Sequence, residues 1–332
     1  MSKGLMFTVY ITRKIPEAGI KKLKATKGLV VKMNPDDRVL APEELKRAVK
    51  GADAILSLLT DKIDSSVLDA AGKQLKIVAN YAVGFDNVDL KAAAARKVFV
   101  TNAPGPLITE SVAEHTIALM LALAHRIAES DRFARAGKYK GWEPMLLLGT
   151  LLAGKTFGII GTGRIGGAAA KKAKGIGMNV IYADPNRQVE LEKETGAKQR
   201  TMEQLLGEAD VVSLHVPLLP STKYLMDTEQ FALMKRTAFL INTARGPVVR
   251  EKSLLRALKT NRVAGAALDV FECEPALDCD LSDHLELTKL DNVILTPHTA
   301  SATIEARQEM SLTAAANILA VFASKTPQNL AK

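Results

Sequence analysis

Short apolar runs alternate with longer segments whose apolar positions recur at helical spacing, from one end of the chain to the other. That alternation predicts parallel α/β layering, because a strand buried on both faces needs a covering helix before the next strand can pair beside it. In the first part the predicted strands are 7–11, 30–33, 54–58 and 77–80, with helices opened by Pro42-Glu43-Glu44 and by Asp64-Ser65-Ser66. The cluster Asn102-Ala103-Pro104-Gly105-Pro106 can continue neither element and marks a first hinge. A long helix is predicted over 109–135, apolar on most faces and therefore buried in a core or against a partner. A second series of strands follows at 157–161, 179–183, 211–215, 238–242, 265–269 and 292–296. Six strands complete a doubly wound sheet, so the helical pattern at 304–322 is expected to return to the first domain. The expected fold is α/β, with two doubly wound parallel-sheet domains and a cleft between them. One is a Rossmann cofactor domain at 102–300; the other is a discontinuous, flavodoxin-like substrate domain made of 1–101 and 301–332.

The length of 332 residues agrees with two cores, and 47% hydrophobic with 24% charged residues excludes wholesale disorder. The longest bilayer candidate, 117–124, is flanked by His115 and by His125-Arg126 and falls well short of the roughly 20 residues a span needs. The N-terminal stretch is too short and too interrupted for a signal peptide, so a cytoplasmic protein without membrane contact is expected. The formal charge of +9 comes mostly from residues 1–50, where 12 Lys and Arg face 5 Asp and Glu. Lys21, Lys22, Lys24 and Lys27 lie on a solvated helix face without interleaved aromatics. They suit attraction of small anions better than nucleic acid, which is not an expected partner. Cys273 and Cys279 are too few for a metal site or a disulfide framework; two free thiols in a reducing compartment, and no metal, are expected.

Gly161-Thr162-Gly163-Arg164-Ile165-Gly166 would be weak as an isolated GxGxxG, but the apolar run 156–160 leads into it and a helical pattern, 168–173, leads out. The next strand ends in Asp184, 18 positions after Gly166. The first glycine makes the tight turn, the second admits a pyrophosphate, and the third lets the helix pack on the strand. The diphosphate then rests on unpaired N–H groups at the helix start. A carboxylate at Asp184 accepts from both ribose hydroxyls and repels a 2′-phosphate, so NAD(H) is favoured over NADP(H), with Arg187 able to soften that rejection.

Three further residues stand just past predicted strand ends, where open α/β sheets place their ligands. Arg245, in Asn242-Thr243-Ala244-Arg245-Gly246, is suited to clamp a carboxylate. Glu274 follows the strand ending at Asp269, and His298 follows the last strand in Thr296-Pro297-His298, where Pro297 stops the strand. Each alone reads most simply as structural; together, at successive exits on the cofactor side, they form the elements of a hydride-transfer site. His115 and His125, in an apolar helix, and His284, in a polar insert, read as structural. His215 ends a strand close to Pro217, so that Val216-Pro217 reads as a wall of the cofactor cleft.

Over essentially its full length the chain resembles the D-isomer-specific 2-hydroxyacid dehydrogenases. The resemblance lies in Ala82-Val83-Gly84-Phe85-Asp86-Asn87-Val88-Asp89, Gly161 to Gly166, His215-Val216-Pro217-Leu218, Asn242 to Gly246, Ala267-Leu268-Asp269-Val270-Phe271-Glu272 through Pro275, and Thr296-Pro297-His298. Within the family it is most similar to glyoxylate/hydroxypyruvate reductases, on 58–64, Gly141-Trp142-Glu143-Pro144 and Gly154-Lys155-Thr156. The resemblance implies NAD(H)-dependent reduction of a small anionic 2-keto acid, glyoxylate or hydroxypyruvate, to glycolate or D-glycerate. Arg245 would bind the carboxylate and orient the carbonyl, His298 would be the general acid, and Glu274 its partner, since a carboxylate beside an imidazole favours the imidazolium. Substrate contacts would come from Ala82, Val83, Gly84, Arg245, His298 and Ser301, with the Val83 and Gly84 N–H groups reaching the carboxylate from the other domain as the cleft closes. Cofactor contacts would come from Gly161, Gly163, Arg164, Ile165, Gly166, Asp184, Val216, Pro217, Thr222, Thr243, Ala244 and Asp269. The family also implies a homodimer through the 109–135 region, with Trp142 reaching the neighbouring site.

Ala183-Asp184-Pro185 replaces the basic, hydroxyl-bearing segment of the NADP-preferring reductases, and the acidic insert 276–287 has no assigned function. The alternatives are a dehydrogenase of D-lactate or phosphoglycerate, and a dinucleotide-sensing scaffold of the corepressor kind. Formate dehydrogenase would need an amide in place of Glu274.

Overall fold

Every pairing between strands in the computed structural model, which describes residues 6–274 and 281–331, is parallel. The chain divides into two units, one made of Met1–Ile108 with Ala302–Lys332 and the other of Thr109–Ser301.

The first unit holds β1 (Phe7–Ile11), α1 (Glu17–Lys24), β2 (Leu29–Met33), α2 (Pro42–Ala48), β3 (Ala54–Ser57), α3 (Ser65–Ala71), β4 (Ile77–Asn80), α4 (Leu90–Ala95) and β5 (Phe99–Thr101). Its sheet order is β2-β1-β3-β4-β5, the flavodoxin-like order. The helix starts follow from the local chemistry read in the sequence. Asp64 accepts from the Ser66 and Val67 N–H groups at the head of α3, and the Glu44 carboxylate returns to the Ala41 N–H at the head of α2. β5 is an addition to the four expected strands; its place is set by pairing with β4 and by a bridge from Thr101 to Leu330. The last helix, α13 (Ile304–Phe322), belongs to this unit, where Ser311 Oγ accepts from the Gly19 N–H at 3.0 Å and donates to Pro16 O at 2.7 Å.

The second unit contains most of α5 (Pro106–Ala124), then α6 (Ile127–Arg135), β6 (Thr156–Ile160), α7 (Arg164–Gly175), β7 (Asn179–Ala183), α8 (Val189–Thr195), β8 (Lys198–Gln199), α9 (Met202–Glu208) and β9 (Val211–Leu214). It continues through α10 (Thr228–Leu233), β10 (Phe239–Asn242), α11 (Glu251–Lys259), β11 (Gly265–Leu268), α12 (Ser282–Leu287) and β12 (Val293–Leu295). The order β12-β11-β10-β9-β6-β7-β8 puts the crossover reversal between β6 and β9, where dinucleotides bind in this class of sheet. Among the described residues this sheet has seven strands instead of the expected six, since the two-residue β8 is defined only by its pairing with β7.

Two further expectations about helices are corrected. The single helix predicted over 109–135 is two, because Arg126 adopts a left-handed conformation (φ 55°) and its guanidinium turns onto Glu129 at 2.8 Å. And α5 is long and apolar enough, by length and composition, to cross a bilayer, with a mean hydropathy of 1.4. The acidic residues Glu110 and Glu114 hid this from a search for uncharged runs. Its apolar side is spent inside the protein, where Ala113, Ile117, Met120 and Leu123 join the core around Phe157 and Ile159.

Cys273 is disulfide-bonded, which overturns the reading of two free thiols. A disulfide needs only two thiols at bonding geometry, which a cysteine count cannot decide. Cys279, Pro275 and the first five residues of the acidic insert, 276–280, lie outside the described residues.

Candidate active site

The carboxyl ends of β6, β7, β9, β10, β11 and β12 carry nearly all the residues singled out in the second half of the sequence. After β6, Gly161 has φ +89°, and a Cβ there would lie 2.8 Å from His215 O. A Cβ on Gly166 would lie 2.1 Å from Gly161 O, so the helix can start this close to the strand only with glycine. Gly163, by contrast, has open space around the position of its missing Cβ. It is also the N-cap of the twelve-residue α7 and brings no side chain to the first-turn N–H groups, which at Arg164 and Ile165 remain available for an anion. The motif thus has two glycines required by the protein's own packing and one that leaves room for something else.

Asp184 ends β7 with one carboxylate oxygen accepting from the N–H and Oγ1 of Thr162, both at 2.9 Å, and the other accepting from Asn186 N–H at 2.9 Å. Burial works against its ionisation, but these donors outweigh it and hold the carboxyl below its ordinary range. Arg187 is drawn away to Glu192, 2.8 Å distant. After β9, the Thr222 hydroxyl donates to Pro217 O at 2.6 Å and accepts from Leu219 N–H, so it braces the loop that carries Val216 and Pro217. These donors, the open glycine and the anionic Asp184 fit a dinucleotide.

The His215 Nε2 lies 2.8 Å from Ser213 Oγ, and burial pushes its pKa down to about 4. It is therefore neutral near pH 7 and unsuited to deliver a proton. His298 differs in setting: its Nδ1 is 2.8 Å from Glu274 Oε2, and both side chains keep partial exposure. The backbone at His298 is left-handed (φ 53°), and its N–H donates to Asp269 O at 2.8 Å. Asp269, fully buried, gathers the whole segment: one oxygen accepts from Thr296 Oγ1 at 2.6 Å and Thr299 N–H at 2.8 Å, the other from Ala300 N–H at 2.9 Å. Burial opposes its ionisation, yet the donors, His115 among them, hold its pKa down. Asp269, expected as a cofactor contact, is thus also the anchor that places His298 and, one residue past Ala300, Ser301.

Arg245 follows β10, the strand next to β11. Asn242 braces its loop, donating to Arg245 O and accepting from Ala244 N–H, each at 3.0 Å. Gly246 lies directly on the turn that leads to Glu274, where a Cβ would come within 1.6 Å of Phe271 O. The Arg245 and Glu274 loops are therefore in backbone contact.

Sequence reasoning missed two contributors from α5. His115, set aside as a helix residue, has Nε2 at 3.1 Å from Thr296 Oγ1 and 3.5 Å from Asp269. Thr116 Oγ1 is 2.9 Å from Thr243 Oγ1. Adjacency in an apolar helix was the only available signal, and it points equally to a core.

In the first unit, Ala82, Val83 and Gly84 follow β4 at the carboxyl edge of the sheet. Their loop is held by its carbonyls: Ala103 N–H donates to Ala82 O, Asn102 Nδ2 to Val83 O, and Asn80 Nδ2 to Gly84 O.

Comparison with known proteins agrees with this geometry. The family model "D-isomer specific 2-hydroxyacid dehydrogenase, NAD binding domain" matches residues 117–300. The chain is 46% identical to the glyoxylate reductase of Korarchaeum cryptofilum, over 97% of this chain and 95% of that protein. It is also 46% identical to the glyoxylate reductase of Thermococcus litoralis, over 97% and 96%. A crystal structure of a Thermus thermophilus protein, 40% identical, superposes with a TM-score of 0.88 over 98% of this chain and all of that one. The glycine turn, the strand-end Arg, Glu and His and this similarity along the whole chain have one origin: the chain belongs to the D-isomer specific 2-hydroxyacid dehydrogenases.

Proposed function

We propose that the protein reduces a small 2-oxo acid, glyoxylate or hydroxypyruvate, to the D-2-hydroxy acid, with NAD(H) preferred to NADP(H). The observation that carries this reading is the His298–Glu274 pair at 2.8 Å, beside the loop of Arg245. NADH, when bound, supplies the hydride that reaches C2. Arg245 holds the carboxylate and draws electron density toward the carbonyl oxygen. His298, its Nδ1 engaged by Glu274, delivers the proton from Nε2 to that oxygen and is reprotonated from water; in oxidation it takes the proton back. The Val83 and Gly84 N–H groups are assigned as donors to a substrate carboxylate.

The cofactor preference rests on Asp184, whose carboxylate stays ionised, and on the pairing of Arg187 with Glu192, which draws that guanidinium away from a 2′-phosphate. The substrate choice rests on the two reductases that share 46% of their residues with this chain. A homodimer through α5, α6 and the segment after them is part of the reading. Trp142 is 82% exposed and Met145 75%, and residues of α5, α6 and the segment after them, Leu123, Ala128 and Leu148, line a groove of about 590 Å³.

The test is NADH oxidation against glyoxylate, hydroxypyruvate, pyruvate and phosphohydroxypyruvate, repeated with NADPH. Highest kcat/KM with one of the first two and NADH supports the proposal; turnover confined to phosphohydroxypyruvate, or equal use of both cofactors, overturns the corresponding part. A monomer by sedimentation would end the dimer assignment.

A further inference from the structure

We propose that Asn102 is a positioning residue for substrate binding: its side-chain amide fixes the Val83–Gly84 peptide so that the Gly84 N–H is presented to the substrate carboxylate. The inference rests on the assignment of the Val83 and Gly84 N–H groups as carboxylate donors.

A trans peptide is planar, with its C=O and N–H on opposite sides, so whatever holds the carbonyl aims the N–H. Asn102 Nδ2 donates to Val83 O at 2.6 Å, and that peptide carries the Gly84 N–H. One residue on, the Ala103 N–H donates to Ala82 O at 2.8 Å, and that peptide carries the Val83 N–H. Two consecutive residues of the Asn102-Ala103 turn therefore aim two consecutive N–H groups. Among the described residues, no protein group accepts from either of them. Both lie at the carboxyl edge of a parallel sheet, the edge where open α/β folds bind ligands.

The pin is needed because the second residue is glycine. Without a Cβ, Gly84 offers little steric resistance to rotation of the 83–84 peptide, which would turn its carbonyl toward an incoming anion. Asn80 holds the far side of Gly84, donating to its carbonyl at 3.0 Å, and is itself paired with the Asn87 amide. Asn102 is fixed by its backbone and not by its side chain: its N–H donates to Asn329 O at 3.1 Å, and its carbonyl accepts from the buried Asn317 amide at 3.3 Å. Replacing the side chain therefore leaves the anchors of the turn in place.

The experiment compares the unmutated enzyme with Asn102→Ala and Asn102→Asp, the latter of the same shape but with an oxygen facing the Val83 carbonyl. Losing the pin is expected to raise KM for the 2-oxo acid by about ten-fold or more, with kcat changed much less, NADH affinity and melting temperature unchanged, and the aspartate at least as impaired. Oxalate, a carboxylate that does not turn over, should lose affinity for the enzyme–NADH complex in parallel. Folded variants whose KM and oxalate affinity match the unmutated enzyme overturn the proposal, as does a loss confined to kcat. If the alanine variant does not fold, the isosteric aspartate carries the test. Arg245→Ala separates the two layers of the argument. If it raises KM while the Asn102 variants do not, only the role of Asn102 fails; if none of the three changes KM, the carboxylate site itself is wrongly assigned.

Discussion

Nδ1 of His298 lies 2.8 Å from Oε2 of Glu274, and the residue that makes this contact stands in left-handed backbone, with φ 53°. The carboxylate orients the ring, while the turn that aims it is held by the Asp269 carbonyl and carboxylate. A strained backbone kept by surrounding hydrogen bonds is characteristic of a site whose geometry matters more than its stability. His298→Ala is expected to lower turnover by about a hundred-fold or more while NADH affinity, followed by fluorescence titration, stays nearly intact. His298→Gly should be equally inactive but melt at higher temperature than the alanine variant, since left-handed backbone costs a non-glycine residue about 1 kcal/mol. Undiminished turnover in either variant would remove His298 as the proton donor.

The glycines of the turn after β6 should separate folding from binding. Gly166→Ala places a carbon 2.1 Å from Gly161 O and must shift α7 or β6, so a lower melting temperature is expected even without cofactor. Gly163→Ala meets nothing in the protein and should leave the melting temperature of the unliganded enzyme unchanged while weakening NADH binding, as calorimetry would show. Equal NADH affinity in Gly163→Ala and the unmutated enzyme would mean that the diphosphate does not approach there.

Asp184 and Arg187 together bear on cofactor choice. Asp184→Ala removes the charge that repels a 2′-phosphate and should weaken NADH while admitting NADPH, shifting the ratio of kcat/KM values by about ten-fold or more. Releasing the guanidinium with Glu192→Gln should move the same ratio in the same direction, by less, because Arg187 is then no longer paired. A ratio that stays fixed in both variants would place the discrimination elsewhere.

His215 gives a pH dependence whose sign follows from its burial. Its folded pKa, about 4, lies below the ordinary value of 6.5, so as pH falls the unfolded chain takes up this proton first. The contribution is complete above about pH 6.5, declines below it and goes on declining to about pH 4; it amounts to no more than about 3 kcal/mol. Denaturant unfolding between pH 7 and 4.5 should show a shallower loss of stability in His215→Gln than in the unmutated protein. Parallel curves would show that the imidazole is solvated in the folded state.

What could be read along the chain is what depends on near neighbours. Short apolar runs placed ten of the twelve strands among the described residues, because burial on both faces of a parallel sheet favours a continuous apolar run. The reading left out β5 and the two-residue β8, whose places are set by pairing with β4 and β7. The glycine turn was legible since its requirements, a positive φ at Gly161 and a close approach at Gly166, are met within six residues. Arg245, Glu274 and His298 were legible for a different reason: a parallel sheet brings all its strand ends to one edge, so position just past a strand already implies a shared site.

By itself, then, the sequence determined the layering, the dinucleotide turn and the three residues at the strand exits, all consequences of local steric and hydrophobic patterns. Only the tertiary structure decided what holds them. His115 meets Thr296 across 181 residues, Asn317 meets Asn102 across 215, and a disulfide takes up the thiol of Cys273. The two hydrogen bonds depend on where distant stretches of backbone come together, and contacts of a few ångströms leave no periodic trace in the chain that makes them.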